Sequence, residues 1–190
     1  MIFELPNFIS QEELDYINLE VSKYYNDPKI SKERDGSYRD GKSILISQTS
    51  ELKELDNYIF KILSSDKLQS FISRRYYPMY ETADTGYEFH RYEPGGCCHV
   101  HFDGEVLFKT NDLAEGTFLR FASVVLHLNT PTSGGELIFP SLNKTIKTEA
   151  GKLVIFPPYG FAQHYTNQSS ENRDVIVTWF VYKNLVVQQR

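Results

Sequence analysis

The sequence YEPGGCCHVHFD, residues 92–103, decides how the rest of the chain is interpreted. A Pro-Gly-Gly turn leads into an apolar segment, Cys97 to Asp103, which we predict as a strand ending in His-x-Asp. Side chains two residues apart on a strand point to the same face, so His101 and Asp103 should lie side by side. An imidazole beside a carboxylate supplies two of the three ligands of the facial triad that binds non-haem Fe(II). The third ligand must then come from elsewhere in the chain.

His164 is the candidate for that third ligand. It lies 63 residues after His101 and follows a predicted strand and turn, Gly151 to Pro158, which would bring it to the mouth of a barrel. Nine residues later, Arg173 opens an apolar strand, where a cation needs an anionic partner. A guanidinium matches a carboxylate through two parallel hydrogen bonds. The pattern therefore suits a dicarboxylate co-substrate that chelates the metal at one end and reaches Arg173 at the other.

The N-terminal third of the chain has mainly helical patterns. A capping box at residues 10–13 and the apolar spacing after it predict a helix over residues 11–24. Further helices are predicted over residues 50–63 and 67–73, and short strands over residues 1–5 and 43–46. The polar segment Lys29 to Lys42 is predicted as a solvated loop, with a mobile loop beside an active site as the alternative.

From about residue 76 the pattern changes to short strands separated by turns. Seven are predicted, over residues 87–92, 97–103, 119–128, 136–139, 145–148, 153–156 and 174–182. The predicted fold class is α+β, mainly β: a double-stranded β-helix (jelly roll) with N-terminal helices packed on the major sheet. We expect one domain over residues 1–190, with helical support over about 1–75 and a jelly-roll core over about 76–184.

Composition excludes several classes of protein. The net charge of −5 comes without long blocks of one sign, so we expect no nucleic-acid or membrane partner. The two cysteines are adjacent, and neighbours on a strand point to opposite faces, so no disulfide framework is expected. The N-terminus lacks a basic lead and an apolar core, which predicts no signal peptide, and no apolar run is long enough to span a membrane. These features predict a soluble cytoplasmic or otherwise intracellular protein.

The ordered set of motifs resembles the 2-oxoglutarate and Fe(II)-dependent oxygenases, specifically their prolyl 4-hydroxylase branch. His-x-Asp alone is a weak signal, but each further motif in the right order lowers the chance of coincidence. The resemblance covers about residues 87–182. The motifs that carry it are, in order, Tyr92, Gly95-Gly96, His101-Phe102-Asp103, the segment GGELIFP at 134–140, the segment GKLVIF at 151–156, His164 and Arg173.

The resemblance implies that His101, Asp103 and His164 bind Fe(II) and that Arg173 binds the distal carboxylate of 2-oxoglutarate. The implied reaction couples oxidation of a substrate C–H bond to decarboxylation of 2-oxoglutarate. It consumes O₂ and releases succinate and CO₂, and ascorbate would support it. A carboxylate at position 103 implies hydroxylation, because related halogenases have a small residue there that lets a halide bind.

The resemblance also implies roles for residues near these ligands. Tyr92 falls where the co-substrate pocket of the family often has a tyrosine. His127 falls where the oxygen-sensing prolyl hydroxylases place a tyrosine on the distal carboxylate, which is a departure from their pattern. Trp179 is either core packing or a pocket wall, and His90 belongs to the core or the substrate pocket. The segment Arg39-Asp40-Gly41-Lys42 resembles a strand-edge loop that helps to hold substrate in those enzymes.

Several alternatives remain open on the sequence. A peptidyl proline in a protein or peptide is the substrate that the resemblance implies, and a lysine, a free amino acid or another small molecule fits almost as well. The chain is alternatively a non-catalytic jelly-roll module that has kept its metal site. A metal-dependent cupin isomerase or dioxygenase would use the same scaffold without needing Arg173. A nucleic-acid demethylase is disfavoured by the acidic chain, which lacks a basic groove. The oligomeric state is unknown from the sequence.

Overall fold

The computed structural model describes residues 2–34, 39–76, 82–104, 108–109 and 117–185. Three helices lie in the N-terminal part of these residues: α1 (Gln11–Ser22), α2 (Lys53–Leu63) and α3 (Asp66–Tyr76). Helix α1 begins at the predicted capping box, where the Glu13 amide donates to Ser10 Oγ and the Ser10 amide donates to the Glu13 carboxylate. The three predicted helices are confirmed. No helix in the described ranges has both the length and the apolar character needed to cross a bilayer.

The described strands form two antiparallel sheets. They are β1 (Phe3–Leu5), β2 (Ser31–Arg34), β3 (Gly41–Leu45), β4 (Thr82–Asp84), β5 (Glu88–Tyr92), β6 (Phe108–Lys109), β7 (Thr117–His127), β8 (Leu137–Phe139), β9 (Lys144–Ile146), β10 (Leu153–Phe156), β11 (Tyr165–Thr166) and β12 (Arg173–Leu185). The major sheet has the order β1-β10-β7-β12-β5-β3-β2, with β4 also paired to β12 and β6 to β7. The minor sheet has the order β11-β8-β9.

Apolar residues of the major sheet serve two separate cores, one on each face. Strand β10 is buried along its whole length and shows the alternation directly. Leu153 and Ile155 belong to the core shared with the helices, whereas Val154 and Phe156 pack in the second core with residues of the minor sheet such as Phe139. Helices therefore cover one face of the major sheet and the minor sheet covers the other. This arrangement confirms the predicted jelly roll with helices on its major sheet.

The predicted strand over residues 97–103 is wrong. This segment makes isolated backbone pairs with different partners, Cys98 with Arg39 and His101 with His164, and so forms no continuous ladder. The chain then turns away at Gly104, which has a positive φ of 74°. The sequence pattern of this extended segment predicted one strand. Its two ends, however, pair with two different neighbours.

The predicted loop over residues 29–42 is also wrong in part. Strand β2 pairs with β3, and β3 pairs with β5, so this segment forms an antiparallel edge of the major sheet. Residues 35–38 between them lie outside the described residues. Polar side chains such as Lys32 and Glu33 are typical of edge strands, where one side faces water. The polarity that suggested a loop is therefore the composition of an edge strand.

Candidate active site

Backbone pairing brings the two candidate histidine ligands together. The His101 amide donates to the His164 carbonyl at 2.9 Å, and the His164 amide donates to the His101 carbonyl at 2.8 Å. Their rings lie 4.3 Å apart between centroids, and His101 Nε2 lies 3.5 Å from Asp103 Oδ1. One ligand atom from each of His101, Asp103 and His164 lies within 4.8 Å of the others. The three predicted ligands thus converge on one point.

Hydrogen bonds orient both imidazole rings in the same way. His101 Nδ1 lies 2.8 Å from the carbonyl of His99, and His164 Nδ1 lies 3.0 Å from the carbonyl of Ala162. A carbonyl only accepts, so each Nδ1 carries the proton. This arrangement directs the Nε2 atom of each ring to the metal position, which is the usual outer support for histidine ligands. Two imidazoles and one carboxylate with this orientation fit the facial triad of non-haem Fe(II).

His101 and Asp103 form an ion pair with shifted pKa values. Burial alone would lower the pKa of His101, but hydrogen bonds with Asp103 and Cys98 outweigh it and raise the pKa to about 10. Burial would raise the pKa of Asp103, but the bond with His101 and the nearby His164 hold it below its usual range. Burial lowers the pKa of His164, which keeps that ring neutral. A divalent cation would replace the proton that His101 and Asp103 share.

Two main-chain bonds hold the segment that carries the carboxylate. The guanidinium of Arg120 donates to the Asp103 carbonyl at 3.1 Å, and the Gly104 amide donates to the Pro158 carbonyl at 2.8 Å. The Ser123 hydroxyl and the Trp179 indole nitrogen are buried beside this cavity, and their approach to Asp103 helps to hold the pKa of that carboxyl below its usual range. Trp179 is therefore a wall of the cavity, and its ring is covered by Arg120 at 4.0 Å from the guanidinium carbon.

Arg173 lies in the same cavity as the three metal ligands and is 2% exposed. Its Nε donates to the Gly135 carbonyl at 2.9 Å and lies 3.3 Å from Thr148 Oγ1. These two contacts fix the guanidinium at the nitrogen nearest the side-chain stem. Burial lowers the pKa of Arg173. No carboxylate in the described part of the chain forms an ion pair with it. A buried guanidinium without a protein anion is a site for an anionic ligand.

The Gly-Gly motif explains how Arg173 is accommodated. Gly135 has a positive φ of 74°, and a Cβ added there would lie 3.2 Å from Arg173 Cδ. The neighbouring Gly134 pairs with Ser169 in an isolated bridge. The turn therefore needs glycine both for its backbone conformation and for the close approach of the arginine stem.

Tyr92 forms the wall beside Arg173. The two residues pair directly across strands β5 and β12, and the Arg173 guanidinium carbon lies 5.2 Å from the centre of the Tyr92 ring. Burial raises the pKa of Tyr92, so its phenol stays protonated and can donate a hydrogen bond. Most of the remaining wall of the cavity is apolar and is formed by side chains that include Leu137, Phe156 and Val175.

His127 lies on β7 two residues beyond Val125, which lines the cavity, so it faces the same side of the sheet. It is fully buried on β7 opposite Val175, and neither ring nitrogen has a hydrogen-bond partner among the described residues. Burial lowers the pKa of His127 well below its ordinary value, and the charges of Arg173 and Lys152 add to this effect. The ring is therefore a neutral, unpartnered polar group close to Arg173.

Arg39 and His90 contact each other beside Tyr92. Arg39 lines the cavity, and its Nη1 lies 2.8 Å from His90 Nε2. His90 is buried beneath it, also within 3.3 Å of Glu88, and does not itself line the cavity. The structure thus brings Arg39 into the site and leaves His90 as its support.

Sequence reasoning missed three residues of the site. Thr148 bonds to the Gly135 carbonyl at 2.6 Å and contacts Arg173, Ser123 faces the metal position, and Cys98 lies 3.6 Å from His101 Nδ1. Thr and Ser on strands are common, so their spacing carries no signal. Cys98 alone had a signal, since it is three residues from a candidate ligand.

Comparisons with known proteins identify a matching family model and several solved structures with the same fold. The family model described as 2OG-Fe(II) oxygenase superfamily matches residues 87–181, half of the chain. This range includes all three candidate metal ligands and Arg173. No curated protein sequence matches the chain.

Several solved structures share the fold at low sequence identity. The viral collagen prolyl hydroxylase of Paramecium Bursaria Chlorella virus-1, solved as a 2OG complex, is 20% identical, with a TM-score of 0.69 over 95% of this chain and 96% of that one. A Pseudomonas putida prolyl-4-hydroxylase is 20% identical, with a TM-score of 0.66 over 94% and 91%. A Trichoplax adhaerens prolyl hydroxylase, in complex with a hypoxia inducible factor oxygen degradation domain peptide fragment, is 18% identical, with a TM-score of 0.71 over 94% and 82%.

Proposed function

Because the chain belongs to the 2OG-Fe(II) oxygenase superfamily, we propose that it hydroxylates a C–H bond of a peptidyl residue, with proline as the first candidate. The reaction consumes 2-oxoglutarate and O₂ and releases succinate and CO₂, with ascorbate as a supporting reductant. When bound at His101, Asp103 and His164, Fe(II) supplies the oxidising chemistry. The chain itself supplies ligand geometry, orientation of the co-substrate and a cavity with little access to water.

The observation that carries this proposal is the buried Arg173, which has no anionic partner among the described residues, in the cavity of the metal triad. A metal-binding module or a cupin isomerase has no need of a desolvated cation at that position, whereas a dicarboxylate bound to the metal presents its far carboxylate to it. The Nε of Arg173 is held by Gly135 and Thr148. Its terminal nitrogens, beside Tyr92, can then form two parallel hydrogen bonds with a carboxylate.

Neighbouring groups complete a binding site for the distal carboxylate. The protonated phenol of Tyr92 and the unpartnered ring of His127 both lie close to Arg173. We assign them to the same carboxylate as Arg173. Apolar side chains such as Leu137, Phe156 and Val175 line the same cavity, and a less polar surrounding strengthens each of these interactions.

The surface around the metal ligands suits an apolar segment of a peptide. Val100, Phe102 and Phe161 are 53%, 54% and 53% exposed. Val100 and Phe102 flank His101, and Phe161 precedes His164 by three residues. Large exposed apolar side chains grouped near a site are typical of binding surfaces. A proline-containing peptide fits such a surface because its ring is apolar and uncharged, and the solved Trichoplax relative carries a peptide fragment.

The test is an assay of the Fe(II)-loaded protein with 2-oxoglutarate, ascorbate and a lysate of its host. We expect succinate formation together with peptides that gain the mass of one oxygen atom, mapped by mass spectrometry to proline. Oxygen added to lysine or another residue would support a peptidyl hydroxylase but would change the assigned target residue. Modification confined to nucleobases or small molecules would overturn the peptide assignment. Metal and 2-oxoglutarate binding without any succinate would favour the non-catalytic module.

A further inference from the structure

A second group of metal-binding side chains lies close to the triad. Asp40, Cys97 and His99 offer a carboxylate oxygen, a thiol and a ring nitrogen, all within 4.8 Å of one another. Cys97 Sγ lies 3.7 Å from Asp40 Oδ2, and His99 Nε2 lies 3.7 Å from the same oxygen. In the described ranges, the triad is the only other group of this kind.

The backbone fixes these three residues relative to one another. The Asp40 amide donates to the Cys97 carbonyl at 2.9 Å, and Arg39 pairs with Cys98 in an isolated bridge. A Cβ added at Gly96 would lie 3.1 Å from the Asp40 carbonyl oxygen, so the two segments are in close contact there. The carboxylate and the thiol are thus held together by main-chain contacts and do not depend on flexible side chains alone.

The chemistry of the three donors indicates which cation suits them. A thiolate with an imidazole and a carboxylate is a ligand set for Zn²⁺ and similar thiophilic ions, and three protein ligands leave a fourth position for water. In tetrahedral coordination with ordinary bond lengths, donor atoms lie about 3.3–3.5 Å apart. The two separations of 3.7 Å need to shorten by only a few tenths of an ångström. The His-Asp-His triad differs, because it contains no sulfur ligand.

We propose that Asp40, Cys97 and His99 form a second metal site, which binds Zn²⁺ or a similar thiophilic divalent cation with water in the fourth position. The site is separate from the oxygenase centre, and the proposal does not depend on the proposed hydroxylation. A bound ion joins the edge of the major sheet next to Arg39 to the segment that leads into His101. It therefore stabilises the wall of the cavity on the side where Arg39 contacts His90.

Metal binding at this site should depend on pH. Burial and the neighbouring Asp40 raise the pKa of the Cys97 thiol, so the thiol is protonated at neutral pH. A cation binds the thiolate, and binding releases that proton. The affinity for the cation should accordingly rise as the pH rises.

The test uses Co²⁺ as a spectroscopic probe, with Zn²⁺ as the competitor. Cobalt bound to a thiolate gives a sulfur-to-metal charge-transfer band in the near ultraviolet, which the triad alone cannot give. We expect the parent protein to show this band and to lose it when Zn²⁺ is added. Cys97→Ser should abolish the band, and His99→Ala should weaken cobalt binding by at least tenfold, whereas Cys98→Ser should keep the band. Asp103→Ala should also keep it, since the triad is not involved.

Two results would overturn the proposal. One is a parent protein without a thiolate–cobalt band at any cobalt concentration that saturates the triad. The other is a band that survives Cys97→Ser and disappears in Cys98→Ser, which would assign the sulfur to Cys98 beside His101. His99→Ala guards against a folding artefact, because His99 is 53% exposed and its side chain can be removed without opening the core.

Discussion

His127 shows how a single buried polar group can be interpreted at the scale of one residue. Its ring has no hydrogen-bond partner among the described residues, and an unpartnered buried polar group is costly unless a ligand satisfies it. We expect His127→Phe to weaken 2-oxoglutarate binding by roughly two- to tenfold, since a hydrogen bond contributes about 0.5–1.5 kcal/mol. His127→Tyr adds a hydroxyl donor to the phenyl ring of the Phe variant. It should therefore bind 2-oxoglutarate more tightly than His127→Phe. Isothermal titration with the iron-loaded variants measures both.

Equal affinities in the Tyr and Phe variants would contradict this role for His127. The ring would then be a core residue that the fold tolerates. Iron content serves as the control in each case, because His127 is not a metal ligand and neither substitution should change it.

At this scale, the sequence predicted the residues whose chemistry has few alternatives. His101, Asp103, His164 and Arg173 combine metal ligation or charge with positions next to apolar strands, and the structure places them around one cavity. Thr148 could not be predicted, because it acts through a hydrogen bond to Gly135 that only the turn geometry creates. His90 was assigned to the core or the substrate pocket, and its burial under Arg39 depends on a pairing between distant strands.

At the scale of elements, the turn at Gly134-Gly135 positions the Arg173 side chain. Gly135→Ala adds a Cβ 3.2 Å from Arg173 Cδ at a residue with φ of 74°. We expect the free energy of unfolding to fall by about 1–3 kcal/mol from backbone strain, and 2-oxoglutarate binding to weaken in addition. The readouts are denaturant unfolding and a 2-oxoglutarate titration of the iron-loaded protein.

Gly95→Ala is the matched control for that turn. Gly95 also has a positive φ, 83°, but a Cβ there meets no atom within 4 Å. It should therefore show a similar loss of stability with unchanged 2-oxoglutarate affinity. If both variants lost affinity equally, general strain and not the contact with Arg173 would be responsible.

The exposed apolar residues beside the metal ligands form the second element that can be tested. We expect Phe102→Ser and Phe161→Ser each to raise KM for a peptide substrate by about tenfold, because burying such a side chain contributes about 1.5–3 kcal/mol when complete. Phe60→Ser is the control, since Phe60 is 53% exposed but lies on α2, over the opposite face of the major sheet. A rise in KM with Phe60→Ser as well would argue against a specific peptide surface.

Elements with strong periodicity were predicted well, whereas some short elements and one shared segment were not. The capping box and apolar spacing located α1 to within two residues at its C-terminal end. Strands β4, β6 and β11 have only two or three residues and were missed, although β1, β8 and β9 are also only three residues long and were predicted. The prediction for segment 97–103 failed because its backbone pairs are divided between Arg39 and His164. Single-sequence patterns do not carry that information.

At the scale of the whole molecule, the fold assembles the site from three regions far apart in sequence. The His-x-Asp segment pairs with His164, which directly precedes β11 of the minor sheet, and Arg173 begins β12 in the major sheet. The cavity between them is closed by side chains of both sheets, including Leu137 and Val175. Metal ligands and the arginine therefore face each other only when both sheets have formed.

We expect 2-oxoglutarate to span the space between the metal triad and Arg173. Losing a buried charged partner typically costs about 2–5 kcal/mol, and about 1.4 kcal/mol is a tenfold change in affinity. Arg173→Ala should thus weaken 2-oxoglutarate binding at least tenfold and leave Fe(II) affinity unchanged. The 2-oxoglutarate affinity of Arg173→Lys should fall between those of the parent protein and Arg173→Ala, because lysine keeps the charge without the two-point geometry. Asp103→Ala should lose the metal first and the co-substrate as a consequence.

The most direct measurement is an anaerobic titration of the Fe(II) protein with 2-oxoglutarate, followed by the visible absorption that appears when the 2-oxo acid chelates the metal. The parent protein should show this absorption and saturate. Arg173→Ala, with parental iron content and melting temperature, should reach the same absorption only at tenfold or more higher 2-oxoglutarate. A curve for Arg173→Ala that coincides with the parent, or a parent protein that shows no absorption at all, would contradict the account.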